Sequence, residues 1–439
     1  MSTRQAAPGG GDLAGRRVTV MGLGRFGGGV GVTRWLCGQG AKVTVSDAAA
    51  PESLAESAAK LDGCDVTLRL GRHDESDVRD ADLLVVNPAV PKDAELIVLA
   101  EKAGVPRTSE INLFLQRCPA PVVGITGSVG KSTTTAMAGL VLQQRYRTHV
   151  GGNIGGSLLM ELPDIAECDV VVLELSSFQL EDTPIVGISP PVALVTNLTP
   201  NHLDRHGSMD AYAAAKKNIF RFQSDEDLVV LNRHCPVTSE WAADAPGRVK
   251  WFDREQEPFE LAVPGGHNQA NAQAAWAIGQ EFGVSREETA DALREFAGLP
   301  HRLQWVAEKD GVRYFNDSKC TTPNGAVVAL EAFEPGSAVI ILGGYDKGVS
   351  FGEMGRVAAE RARAVVTIGQ TGEAIASAVE NAGGGPVTRA DSLPQAVSAA
   401  ADLARPGGAV LLSPACASYD MFTNYQDRGE QFVQLVRGR

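Results

Sequence analysis

The chain has 439 residues, 44% of them hydrophobic, with 40 basic against 53 acidic residues and a formal net charge of −13. That length supports about three domains, each able to bury its own core, and the acidic balance without any long basic run argues against a nucleic-acid partner. No apolar run approaches the roughly twenty residues that span a bilayer, and seven scattered cysteines, never in a C-x-x-C pair, read as reduced thiols of a cytoplasmic protein.

The opening stretch, MSTRQAAPGGGDLAG, holds one arginine and no apolar segment, so it reads as a loose leader rather than a signal peptide or anchor. From Arg17 to Val86 short apolar runs (Val18 to Met21, Ala41 to Val45, Leu83 to Val86) alternate with helical stretches in a βαβ pattern. Gly22, Gly24 and Gly27 follow the first run as G-x-G-x-x-G, and Asp47 closes the second. A helix N-terminus facing a diphosphate, with a carboxylate at the next strand tip, suits a dinucleotide or any other nucleotide diphosphate; close helix-to-strand packing would use the same glycines.

The punctuation Cys118-Pro119-Ala120-Pro121 marks a boundary, after which the pattern restarts with GITGSVGKST, Gly124 to Thr133. Small residues here let backbone N–H groups converge on a phosphate, Lys131 adds positive charge and Ser132 offers a hydroxyl to a metal ion. Ile125 stands where the strict G-x-x-x-x-G-K-[ST] rule wants its first glycine, which makes this a subtype of phosphate loop. Asp169 to Leu175 and Val192 to Thr196 read as the next strands. Glu174, at the carboxyl end of the first, is a candidate magnesium ligand beside Ser132, or a solvated carboxylate. His202 in the loop Pro200 to His206 is either a metal ligand or a loop hydrogen-bonder, and Lys216, on a helix, would ordinarily be solvated. Asn268 and Asn271, in HNQAN, share one helical face and could pair with a base, meet an opposing loop, or serve a cap.

After the break at Gly298-Leu299-Pro300-His301 a third set of strands follows: Val312 to Phe315, Ala338 to Leu342, Val365 to Ile368 and Ala409 to Leu412. His301-Arg302 precede them, and the polar loops Asn316 to Lys319, Gly343 to Lys347 and Ser413 to Ser418 follow strands, as one binding rim would require. The expected fold is α/β with three domains in series: a Rossmann-like N-terminal domain (1–118), a central P-loop ATPase-like domain on a parallel sheet (119–299) and a Rossmann-like C-terminal domain (300–439).

GITGSVGKST, Gly152-Asn153-Ile154-Gly155, ELSSFQLE, NHLDRH, AAAKKNIF, HNQAN, HR, NDSK, GGYDKG and SPACASYDMFTNYQDRG, in that order, resemble the Mur ligases of peptidoglycan synthesis. ELSSFQLE and SPACAS with its trailing RG are similar to the D-glutamate-adding branch. The resemblance implies an ATP-dependent amide ligase. ATP would phosphorylate the alanyl carboxylate of UDP-N-acetylmuramoyl-L-alanine, the amine of D-glutamate would attack the acyl phosphate, and phosphate would leave.

By the same resemblance Lys131, His202 and Lys216 serve catalysis. ATP falls to Gly127, Ser128, Gly130, Lys131, Ser132, Thr133, Asn268, Asn271, Arg302 and Asp317. The sugar nucleotide falls to Gly24, Asp47, Asn153, Ser176 and Gln179, and the D-glutamate carboxylates to Thr321, Lys347, Ser418 and Tyr425. Two Mg²⁺ ions are implied, one on Ser132 and Glu174, the other on His202 with a carbamylated Lys216, whose carbamate would offer the oxygens a hard cation prefers. A cytoplasmic monomer with small-molecule substrates and neither nucleic-acid nor membrane partner is expected. The chain departs from the family pattern at Ala48, Ala49 and Ala89 near the expected uracil and diphosphate, and at Cys320 and Tyr425. Rival readings are a sister ligase adding another amino acid, an NAD-dependent oxidoreductase using Gly22 to Asp47, and an idle nucleotide-binding module.

Overall fold

The computed structural model describes residues 11–24 and 28–439; Gly27 and most of the leader lie outside them. The first sheet comprises β1 (Arg17–Met21), β2 (Lys42–Asp47), β3 (Val66–Leu70), β4 (Leu83–Val86) and β5 (Arg107–Thr108), all parallel in the order β3-β2-β1-β4-β5. The second holds β6 (Val122–Thr126), β7 (Thr148–Gly152), β8 (Val170–Glu174), β9 (Val192–Val195), β10 (Leu228–Asn232) and β11 (Arg248–Phe252). It too is parallel, in the order β11-β10-β9-β6-β8-β7. The third orders β12 (Gln304–Lys309), β13 (Val312–Asn316), β14 (Ala338–Leu342), β15 (Ala364–Thr367), β16 (Val387–Arg389) and β17 (Ala409–Leu412) as β12-β13-β17-β14-β15-β16.

The central strands are continuous apolar runs because helices cover both faces of a parallel sheet. Every residue of β4, β6, β8, β9, β14 and β17 is buried. β10, LVVLN, is an apolar run buried over its first four residues that the expected strands leave out, together with several marginal strands. β3 is half exposed along its length, and β7, THVGG, is short of apolar side chains.

The third sheet departs from an all-parallel Rossmann plan at β12, which pairs antiparallel with β13. Asp310 and Gly311 separate the two strands and both have positive φ, 52° and 71°, as a two-residue type I′ hairpin requires.

By packing, the chain divides into two units: Met1–Asp253 with Gln273–Thr289, which carries the first two sheets, and Arg254–Ala272 with Ala290–Arg439, which carries the third. In the second sheet β6 lies between β8 and β9, so the sequence order reverses around β6 and a crevice opens at the carboxyl ends of these three strands. Among the described residues no helix is long and apolar enough to cross a membrane.

Candidate functional site

β6 ends at Thr126, and the loop Gly127 to Gly130 leads into the helix Lys131–Leu142. Gly127 has φ 144°, and a Cβ there would run into the Thr196 hydroxyl, so the loop can pass this close to β9 only as glycine. The end of β9 then clamps the loop tip. Asn197 Oδ1 accepts from Val129 N at 2.9 Å, while Asn197 Nδ2 and Thr196 Oγ1 donate to Val129 O at 2.9 and 2.7 Å. Ser128 is buried, its hydroxyl donating to Thr199 O at 2.9 Å and 3.1 Å from the Tyr212 hydroxyl. Val129 is left 64% exposed at the tip. Lys131 Nζ folds back to donate to Ser128 O at 3.1 Å, and Ser132 and Thr133 occupy the first turn of the helix. Since Asn197 also accepts from Ser128 N, at 3.0 Å, the N–H groups left to an anion are those of the helix's first turn, Lys131 to Thr133, with the Lys131 cation beside them, an arrangement suited to phosphate.

Glu174 ends β8 beside this loop and is 1% exposed. Its Oε1 accepts from Asn153 Nδ2 at 2.8 Å, whereas Oε2 is buried with no hydrogen-bond partner among the described residues. A buried carboxylate oxygen without a donor is costly unless a cation completes it, and oxygen is what Mg²⁺ prefers. Donor chemistry and burial at Glu174 therefore fit a divalent metal.

Lys216, on the helix Met209–Lys217, is 1% exposed. Nζ donates to Gly127 O at 2.8 Å and to Thr126 Oγ1 at 3.3 Å, and lies 4.8 Å above the Tyr212 ring. Burial, with the nearby Lys131 charge, pushes its pKa down to about 7, Glu174 opposing the shift. His202 is exposed, has φ 53°, and packs its ring against Phe178 (5.0 Å) and Tyr212 (6.5 Å). Tyr212 thus lies between His202 and Lys216.

In the first sheet, Asp47 Oδ2 accepts from Gly24 N at 3.0 Å and Oδ1 from Ala49 N at 2.8 Å, so the strand tip and glycine loop are joined. Ser176 and Gln179 meet each other in a capping box at the helix Ser177–Leu180, which gives both side chains a local structural task.

The other candidates belong to the second unit. Asn268 and Asn271 are buried and linked at 3.3 Å, with Asn268 Nδ2 donating to Pro264 O at 2.7 Å. Arg302 is exposed, in a turn where His301 and Leu303 have φ of 61° and 42°. Asp317 accepts from Ser413 Oγ at 2.7 Å and Leu303 N at 3.2 Å, and burial pushes its pKa up to about 6. Lys347 is exposed, Thr321 half-buried and Ser418 buried; Tyr425 sets its ring edge-on to His301 at 5.8 Å.

Three family profiles match: "Mur ligase MurD-like, N-terminal domain" over residues 16–109, "Mur ligase middle domain" over residues 125–257 and "Mur ligase, glutamate ligase domain" over residues 301–416. The chain belongs to the Mur ligase family. Among its relatives in that family, the UDP-N-acetylmuramoylalanine--D-glutamate ligase of Roseiflexus sp. (strain RS-1) is 38% identical, covering 97% of this chain and 99% of the relative. The enzyme of that name from Pelotomaculum thermopropionicum is 39% identical, covering 97% and 98%. In fold, the chain is similar to the UDP-N-acetylmuramate-alanine ligase MurC of Thermotoga maritima, with a TM-score of 0.58, 22% identity and coverage of 96% and 99%. It is also similar to MurF of Acinetobacter baumannii, with a TM-score of 0.52, 18% identity and coverage of 83% and 93%.

Arg428, the arginine of the trailing RG that marks the resemblance to the D-glutamate-adding branch, has a structural task in this Mur ligase that the motif does not announce. It is fully buried with no carboxylate partner among the described residues, and its guanidinium donates to Ser318 Oγ (3.0 Å), Ser318 O (2.9 Å), Cys416 O (3.1 Å) and Ala417 O (3.4 Å). Burial pushes its pKa down to about 10. The bonds brace the loops after β13 and β17, which carry Asp317 and Ser418. A signal existed: Arg428 shares the buried face of the helix Tyr425–Arg437 with Phe432 and Val436 at four-residue spacing. No motif announces the loop-clamping task of Thr196, the last residue of the strand expected over Val192 to Thr196, or of Asn197 after it.

Proposed function

We propose that this protein is an ATP-dependent ligase that joins D-glutamate to UDP-N-acetylmuramoyl-L-alanine through an acyl phosphate. The observation that carries the reading is the convergence of a clamped phosphate loop, the unpartnered oxygen of Glu174 and the buried amine of Lys216 at the ends of β6, β8 and β9. The names of relatives at 38–39% identity over nearly the full chain support the choice of substrates.

In this reading the N–H groups of the helix's first turn and the Lys131 cation hold the triphosphate and favour the charge that spreads over the transferring group. Ser132 and Glu174 would hold one Mg²⁺, and His202 with a carbamylated Lys216 a second. When bound, such ions would screen the repulsion between an anionic carboxylate and an anionic phosphate. The burial that lowers the Lys216 pKa leaves a share of neutral amine near pH 7, the form that adds to CO₂ with release of a proton to give the carbamate. Asn268, Asn271, Arg302 and Asp317 serve the ATP side. Gly24, Asp47, Asn153, Ser176 and Gln179 serve the sugar nucleotide, and Thr321, Lys347, Ser418 and Tyr425 the dicarboxylate amino acid. The division into domains 1–118, 119–299 and 300–439, a monomeric state and a cytoplasmic location are parts of the same proposal.

A panel of amino acids, each supplied with ATP, Mg²⁺ and UDP-N-acetylmuramoyl-L-alanine and scored by product mass, tests it. A product with D-glutamate, far above any other, is expected. Strong preference for another amino acid would move the chain to a sister activity.

A further inference from the structure

The loop that follows β4, Asn87 to Lys92, lies at the carboxyl end of the first sheet, beside the glycine turn that follows β1. Asn87 Nδ2 donates to Gly22 O at 3.3 Å, and a Cβ on Gly28 would press against the same amide. By the strand-end rule for open parallel sheets, this rim is where a nucleotide diphosphate would rest. Pro88, Ala89 and Val90 carry no polar side chain, and the Ala89 and Val90 N–H groups are taken within the loop by Asn87 Oδ1 (3.0 Å) and Asn87 O (2.9 Å), so the loop has its carbonyls left to offer.

Those carbonyls are gripped from the middle sheet's side by one residue. The Arg205 guanidinium donates to Val90 O at 2.6 Å, Ala89 O at 3.2 Å and Pro88 O at 3.4 Å. Its cationic plane also stands 5.4 Å over the Phe178 ring. Arg205 belongs to the four-residue helix Leu203–His206, whose N-cap is His202. Phe178, under the arginine, also touches the His202 ring at 5.0 Å and stacks on His206 at 5.3 Å with only 16° between planes. His206 is anchored in turn to Ser177 Oγ at 2.9 Å and Glu181 Oε1 at 3.0 Å. A second clasp binds the same loop: Lys92 Nζ meets the buried Asp182 at 2.5 Å.

We propose that Arg205 is a positioning residue which locks the sugar-nucleotide rim of the first sheet to the helix that carries His202, so that acceptor affinity and the placement of His202 rise and fall together. The inference rests on the proposed function for the identity of the acceptor, while the tether itself rests on the bonds above. Arginine suits the task because its planar fork can serve several carbonyls at once, which a lysine ammonium on a flexible stem does less well. Three fixed donors on consecutive carbonyls also hold the loop in one conformation before the ligand arrives, which lowers the ordering penalty on binding.

The test compares wild type, Arg205→Met and Arg205→Lys as full chains. Calorimetry with UDP-N-acetylmuramoyl-L-alanine in the absence of ATP gives affinity without turnover. Steady-state ligation then gives KM for each substrate. Arg205→Met is expected to weaken sugar-nucleotide affinity about tenfold or more, with KM for ATP and D-glutamate within about twofold of wild type, and to lower kcat. Arg205→Lys should fall between, and it carries the same reading if the methionine variant does not fold. A merely structural role would lower the melting temperature or the active fraction and leave sugar-nucleotide affinity intact. Equal affinity in wild type and variants overturns the tether. A wild type that binds the sugar nucleotide but ligates nothing to it overturns the proposed function alone.

Discussion

Asn153 Nδ2 donates to Glu174 Oε1 at 2.8 Å and thereby turns one oxygen of a buried carboxylate inward, leaving Oε2, beside the phosphate loop, without a partner among the described residues. One amide fixes the orientation and the other oxygen remains available to a cation. Glu174→Gln preserves size and the acceptor for Asn153 but removes the charge. Ligation should fall by about 10²-fold or more at a fixed Mg²⁺ concentration. Mg²⁺ titration of ATP turnover in the variant would check it, and an unchanged Mg²⁺ dependence would mean that Glu174 holds no metal.

Gly127 is set by geometry alone. Gly127→Ala places a Cβ against the Thr196 hydroxyl at a φ that side chains rarely adopt, so it should destabilise the unit by about 2 kcal/mol or more and abolish ATP binding. Thermal melts with and without ATP report both effects; a variant that still gains stability from ATP would contradict the loop assignment.

Lys216→Ala should lose about 10²-fold or more in turnover and regain part of it with added formate or acetate, which would place oxygens where the carbamate stood. Full activity without rescue would return Lys216 to a structural role, its amine merely tying Gly127 O to the helix.

Asp317 supplies a pH dependence. Its folded pKa of about 6 lies above the roughly 3.9 of an unfolded aspartate, so the protonated form is favoured in the fold. That contribution is complete below about pH 4 and is lost as pH rises through about 6, a change of about 3 kcal/mol. Asp317→Asn removes the titration. The stability of wild type relative to the variant should therefore decline between pH 4 and 7 in chemical denaturation, and a difference that stays flat would show that the carboxyl is not held protonated by its burial.

Arg428→Met should cost about 3 kcal/mol of stability, because Ser318 O and Cys416 O lose donors in the interior. Since the bonds brace the rim that carries Ser418, KM for D-glutamate should rise more than KM for the sugar nucleotide. Equal changes in both would make the brace a folding element only.

Much of this is legible in the sequence. The apolar runs at Leu83 to Val86, Ala338 to Leu342 and Ala409 to Leu412 became strands with the same ends, because a strand buried on both faces has no polar residue to blur its limits. GITGSVGKST emerged as strand, loop and helix, since glycine, lysine and hydroxyl spacing is itself the loop's geometry. β10, LVVLN, has the same kind of run yet is missing from the expected strands, whereas β7 and β12 were not legible: one is short of apolar side chains, and the other is specified by an Asp-Gly turn rather than by a run. Arg205 and Arg428 lie in quoted motifs, NHLDRH and the trailing RG, but their tasks escaped for a related reason. Each acts on backbone carbonyls of distant loops, and a carbonyl leaves no mark in a sequence. Ser176 and Gln179 show the reverse case, where a motif residue also has a local capping task that spacing of the Ser-x-x-Gln type announces.

Phosphate release from ATP, followed with each component omitted in turn, tests the central claim most directly. The account expects release only when ATP, Mg²⁺, UDP-N-acetylmuramoyl-L-alanine and D-glutamate are all present, in step with amide product. Release that is indifferent to the sugar nucleotide or to D-glutamate, or ATP binding without any substrate-dependent release, would contradict it.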